Sequence, residues 1–217
     1  MENKSLASIK KVTKSSNLMF KDIHESREIG LKISREIIGI SSRSIRAAHR
    51  GEHKESQKLI DEGIKKLKSV KPKIIKHSSD MNSTFMLDGE KELCEAIFFI
   101  SFTSNKSIPS KYIDSFSPSS LLKGMAEAAS ELRRSALDKI RDNEVLESEK
   151  YLKIMNEVVD VLESVDFPEG VTAGLRRTTD QLRSVVERTR GDITIALERK
   201  ELERSINSLK EELNKKK

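Results

Sequence analysis

The chain has one cysteine, Cys94, no tryptophan, and only 4% aromatic residues. A single thiol cannot close an intramolecular disulfide, so packing must hold the fold and a reducing compartment is the expected setting. The four histidines, His24, His49, His53 and His77, show no metal-ligand spacing, which argues against zinc. There is no glycine-rich phosphate loop and no strand-turn-helix nucleophile elbow. No apolar run approaches the roughly 18 residues that span a bilayer, and the start of the chain lacks the apolar stretch of a secretory signal. A cytoplasmic location with no membrane partner is therefore expected. Four prolines, nine glycines and little Val/Thr/Tyr alternation disfavour sheets.

What is abundant is charge and helical periodicity. Charged and apolar residues each make up 35% of 217 residues, and 41 Lys+Arg against 35 Asp+Glu give a formal net charge of +6. Because the signs are interspersed, that excess favours anionic partners only mildly. The length suits one domain over residues 1–217, all-α, with a polar segment at 1–16 and a helical extension at 198–217. The first helix runs from about residue 17 to Arg50, burying Leu18, Ile29, Ile33, Ile37, Ile40 and Ile45. A second covers 53–78, with Pro72 expected to kink or split it. A third opens around Asp88. A fourth starts at Ser117-Pro118, an N-cap followed by proline at the first helical position, and ends near Asp142. A fifth spans about 144–165, and a long last helix starts near Thr172. In its final part Leu202, Ile206, Leu209 and Leu213, spaced four, three, four, form a coiled-coil seam flanked by the i,i+4 pairs Glu211/Lys215 and Glu212/Lys216.

Two pairs of glutamates stand out. Glu92 and Glu95 share a helix face that continues into Ala96 and Phe99, and a carboxylate beside an apolar segment must be paired, protonated or bound to a cation. Glu127 and Glu131, spaced i,i+4, lie away from the Leu121/Met125/Leu132 side of their helix. The bland alternatives are a hydrated first turn complementing the helix dipole for the first pair, and a solvated stripe with Glu131 paired to Arg134 for the second. The sharper reading is that four carboxylates on two helices bind one or two Mg²⁺ ions, with Mn²⁺ the alternative. Cys94, between acidic neighbours, reads as a small core residue with a disfavoured thiolate.

Two basic stripes could follow a phosphate backbone. Lys65, Lys66, Lys68, Lys73 and Lys76 mark the second helix, and Arg176, Arg183 and Arg190, seven residues apart, mark the last one together with Arg177. Neither stripe has interleaved aromatics, so binding there would be electrostatic and indifferent to base identity. A solvated face for the lysines and helix-to-helix ion pairing for the arginines are the plainer explanations.

Ser34, Arg35, Glu36, Ile37, Ser41, Arg43, Ile45, His49 and Arg50 together resemble the first-helix signature of the translin family. Glu92-Leu-Cys-Glu-Ala96 is similar to the ExxEA motif of its catalytic branch, translin-associated factor X, of prokaryotic type. The stretch from Leu122 to Arg134 resembles that branch's LxGxADxxxELxR segment, with Glu127 where the pattern has aspartate. Gly174-Leu-Arg-Arg177 and residues 186–192 resemble the end of the prokaryotic members, and the likeness covers roughly residues 20–197. It implies an all-α subunit of six to seven helices that assembles into a hollow octamer, binds single-stranded RNA or DNA, and cleaves RNA with Mg²⁺. By position, Glu92, Glu95 and Glu127 inherit the metal-binding role, and these three with Glu131 form the catalytic set. A translin-like partner subunit is also implied as an option. The alternatives are a binding-only member and a structural helical adaptor joined through its C-terminal seam.

Overall fold

In a computed structural model, residues 4–75 and 84–215 are described, and they are helical almost throughout. Six long helices, α1 (Lys4–His49), α2 (His53–Ile75), α3 (Thr84–Ser104), α5 (Pro118–Arg141), α6 (Val145–Glu163) and α8 (Leu175–Lys215), are joined by turns that include the single-turn helices α4 (Ser110–Ile113) and α7 (Glu169–Thr172). The described residues contain no strand, as the composition leads one to expect. No helix among them is long and apolar enough to cross a membrane.

The long helices form two groups of three. α1, α2 and α3 pack around Ile37, Ile60, Leu67, Leu93 and Ile97, whereas α5, α6 and α8 pack around Leu132, Met155, Leu162, Leu182 and Val186. The α3–α5 contact joins the groups, and Phe99 of α3 extends into the second core. Small residues set how closely these helices approach. A Cβ on Gly124 of α5 would lie 2.5 Å from Cys94 Cβ, 2.7 Å from Lys91 O and 2.8 Å from Glu95 N, two of them backbone atoms of α3. Gly89 meets Ser34 of α1 in the same way and donates its N–H to the Ser34 hydroxyl at 3.1 Å.

Several boundaries differ from those read in the sequence. α1 begins at Lys4 instead of near residue 17, so the polar 1–16 segment is helical from there on, and Leu18 (60% exposed) and Ile29 (46%) are not buried. The packed face of α1 begins only at Gly30 and is built largely of Ser34, Ser41, Ser44, Ala47 and Ala48 between the isoleucines. An isoleucine period predicts burial only where another helix lies against it, and among the described residues no helix buries a side chain of residues 4–29. Pro72 does not split α2, which stays helical through it to Ile75, the last described residue before Thr84. The expected stretch 76–78 lies outside the described residues. α8 starts at Leu175, after Ala173 and Gly174 adopt positive φ (53° and 85°). The Ser117 cap holds, its hydroxyl accepting from Ser120 N at 3.3 Å. Just before it, buried Glu90 pairs with Lys71 at 3.0 Å and accepts from Ser117 N at 3.2 Å, tying α2 and α3 to the start of α5.

Replacing Gly124 by alanine should force α3 and α5 apart and destabilise the protein by about 1–3 kcal/mol. Gly191→Ala, on an exposed face of α8 with nothing near the new methyl group, should be neutral or stabilising by up to about 1 kcal/mol. Denaturant unfolding of both variants tests this; equal stabilities would show that the α3–α5 approach is not the constraint described.

Candidate metal and nucleic-acid site

The α3–α5 crossing brings the two glutamate pairs together. Glu92 and Glu95, three residues apart on α3, face Glu127 on α5, and one carboxylate oxygen from each of the three lies within 4.8 Å of the others. Glu131, one turn further along α5, adds to the negative potential at Glu95. The stripe that avoids α5's own apolar side thus meets the carboxylates of α3.

Charge is compensated unevenly across the site. Lys91 Nζ lies 2.8 Å from Glu127 Oε1 and 3.4 Å from Glu92 Oε1. Burial works against this ammonium, but the hydrogen bond to Glu127 and the charges of Glu127 and Glu92 outweigh it and hold its pKa above the ordinary lysine value. His49 Nε2, at the end of α1, lies 2.7 Å from Glu131 Oε1, while its ring packs on Phe99 with centroids 4.6 Å apart. Arg134 reaches Glu131 only at 4.0 Å. Glu95 has no such partner. Burial first, and then the charges of Glu92, Glu127 and Glu131, push its carboxyl up to about 8 despite Lys91. Directly behind it, buried Cys94 has its thiol pushed well above the usual range by desolvation and by Glu90, so it is a core residue and no nucleophile.

Lys91 and His49 are the neighbours that sequence reasoning did not assign to this site. Their signals were present but indirect: Lys91 adjoins Glu92, and His49 belongs to the first-helix signature, yet neither pattern says which carboxylate each would meet.

The nine candidate strand-binding cations fare unequally. Lys65, Lys68, Arg176 and Arg177 are exposed and make no ion pair among the described residues. Lys66 is paired with Glu36 at 2.9 Å, Arg183 is held by Glu163 and by Asp180, and Arg190 bonds to Asn156 Oδ1 at 2.8 Å and lies 3.5 Å from Glu187. Arg183 thus pairs across to α6, whereas the ion pair of Arg190 lies within α8 and its link to α6 is the hydrogen bond to Asn156. The side chain of Lys73, and Lys76 altogether, lie outside the described residues. On α1, Arg46 is exposed and one helical turn from His49, which places another cation at the edge of the acidic site.

Comparison with known proteins bears on the fold and the family. No family model matches the chain. An uncharacterized protein of Methanocaldococcus jannaschii is 32% identical over 174 residues, covering 77% of this chain and 74% of that protein. Among solved structures, AfC3PO in complex with duplex RNA superposes with a TM-score of 0.74 at 28% identity, over 85% of this chain and 95% of its own. AfC3PO by itself gives 0.72 at 27% identity, over 85% and 96%. NeC3PO without ligand gives 0.73 at 17% identity, over 85% and 96%, a likeness of fold alone. The chain is an all-α protein of the translin family.

Glu95 supplies a stability test with a definite sign. Its folded-state pKa of about 8 lies above the ordinary 4.5, so its contribution is fully present below pH 4.5 and is lost as pH rises through 8. Metal-free protein should lose thermal stability between about pH 5 and 8.5, and Glu95→Gln should flatten that slope. A slope unchanged by the substitution would place the titrating group elsewhere.

Proposed function

We propose that this chain is a member of the catalytic, translin-associated factor X branch, a homo-oligomeric protein that binds single-stranded RNA or DNA and cleaves RNA phosphodiesters in a Mg²⁺-dependent manner. The observation that carries this reading is the convergence of Glu92, Glu95 and Glu127 within 4.8 Å, at a place where one carboxyl is desolvated and unpaired. The likeness to AfC3PO, a protein whose structure is known with duplex RNA, supports RNA as the ligand.

The donor set fits the metal. Three hard carboxylate oxygens from two helices suit Mg²⁺, and Mn²⁺ shares the preference. Four carboxylates faced by one ammonium and one histidine leave the negative charge that a divalent ion would balance. Glu92, Glu95 and Glu127 would hold the ion, which when bound supplies a more acidic water and positive charge beside the phosphodiester. Glu131, oriented by His49, is placed to accept the proton of the attacking water. Lys65, Lys68, Arg176 and Arg177 are the free cations available to hold the strand. A subunit whose acidic face serves an enclosed assembly, octameric in this reading, would also account for a polar site that the fold leaves open.

One observation favours a binding-only protein instead. Glu127 stands where the catalytic branch has aspartate, and Lys91 already neutralises it at 2.8 Å. Incubating the purified protein with labelled single-stranded RNA and Mg²⁺ separates the two readings. The nuclease reading expects cleavage that EDTA abolishes and that Glu95→Ala lowers by at least roughly 100-fold with strand affinity retained. Mg²⁺ should also raise the melting temperature of the parent at pH 8 and not that of Glu95→Ala. An unchanged rate in Glu95→Ala would remove the catalytic assignment, and tight binding without any cleavage would select the binding-only alternative. Charge reversal at Lys65 and Lys68, set against Arg176 and Arg177, locates the strand. The correct pair should reduce the slope of log affinity against log salt by roughly 0.7 for each lost phosphate contact, and a slope changed by neither pair would exclude both surfaces.

A further inference from the structure

α8 outruns its bundle. Its last buried residue is Ile193, Lys200 Nζ still donates to Asn143 O at 3.1 Å, and residues 201–215 are exposed on every face. That tail carries Leu202 (61% exposed), Ile206 (41%), Leu209 (60%) and Leu213 (65%) on one stripe with coiled-coil spacing. Because it continues a helix already anchored from Leu175, it does not bear the cost of nucleation that a free peptide of this length would.

The flanking charges choose among possible occupants. With Leu202 and Leu209 at d and Ile206 and Leu213 at a, Glu198, Ser205 and Glu212 fall at g, and Glu203 and Lys210 fall at e. In a parallel pair of tails in register, each g residue faces the e residue five positions on in the other chain. Glu198 would then face Glu203 twice over, a repulsive arrangement. In an antiparallel pair with Ile206 of one chain opposite Leu209 of the other, Leu202 meets Leu213, Glu203 meets Lys210 on both sides, and Ser205 meets Glu212. That arrangement has four apolar layers, two opposite-charge pairs and no like-charge pair among these positions. Residues 198–217 hold seven Lys/Arg and five Glu, a net charge of only +2 on each tail. Glu203 and Lys210 make no ion pair with any described residue. The exposed arm of α1 is a poorer partner. Its stripe of Ile9, Val12, Ser16, Met19, Ile23 and Ser26 is interrupted by serines.

We infer that residues 202–213 form an interface between two copies of this chain, an antiparallel two-stranded coiled coil in which Ile206 of each packs against Leu209 of the other. The interface is isologous, the same surface serving both partners. It rests on the tail alone and not on the nuclease reading, so RNA cleavage and tail pairing can fail separately.

Full-length chains carrying Ile206→Cys or Leu209→Cys, distinguished by size, test it by air oxidation after co-expression. Cys94 is buried and serves as an inert background. The mixed pair should yield the disulfide-linked heterodimer as the main product, several-fold above either variant alone. Adding Lys210→Glu should cut that yield several-fold, and adding Glu203→Lys to the same chains should restore it. Preferential linkage of each variant to itself would overturn the antiparallel register, and absence of linkage in every combination would overturn the pairing. A yield insensitive to Lys210→Glu would remove the charge argument on which the choice of partner rests.

Discussion

The closeness of α3 and α5 is the constraint on which the rest of this protein depends. Their backbones meet at Gly124, where even a methyl group would overlap Cys94 and two backbone atoms of α3. That approach unites two otherwise separate three-helix groups, each with its own apolar core. It also fixes the spacing between carboxylates on facing helices, because the separation of the two backbones sets where their side chains meet. The fold and the acidic site thus share one cause, a glycine with no conformational peculiarity of its own.

Such a site is costly to build. A protein gains nothing in stability from concentrating four carboxylates beside a phenylalanine, and most of the surrounding chemistry limits the damage. Lys91 offsets Glu127 and Glu92, His49 occupies Glu131, and only Glu95 is left to respond by holding its proton. Elsewhere the same problem is solved fully, as at buried Glu90, where Lys71 and the Ser117 amide satisfy the carboxylate. The completed and the incomplete solution lie within five residues of each other on α3, at Glu90 and Glu95.

The helices and the seam between the glutamate pairs were legible in the sequence because both follow from periodicity and local caps. Ser117-Pro118 marks the start of α5, and i,i+3 or i,i+4 spacing puts each glutamate pair on one face. The extent of α1 was not legible, since polar residues 4–16 form helix without an apolar stripe to announce it. Nor were the partners of the carboxylates, which depend on how helices far apart in the chain are rotated about their axes. The neighbours of the basic stripes were not legible for a related reason: Lys66, Arg183 and Arg190 meet acceptors on other helices, which no single wheel reveals. In the tail, Glu211 and Lys215 do not close the expected ion pair, and Lys216 lies outside the described residues.

α1 is one unbroken helix of 46 residues, roughly 70 Å long at about 1.5 Å per residue, but only its second half is packed. Behind Gly30, releasing a backbone amide means dismantling the core, so those amides open only with the whole molecule. Ahead of it, each turn is held by its own hydrogen bonds and little else, and opening there is a local event that falls in cost toward Lys4. A single element therefore spans nearly the full range of local stability in the protein. Whatever settles on its first half can order or release about seven turns of helix while leaving the acidic centre at the other end untouched.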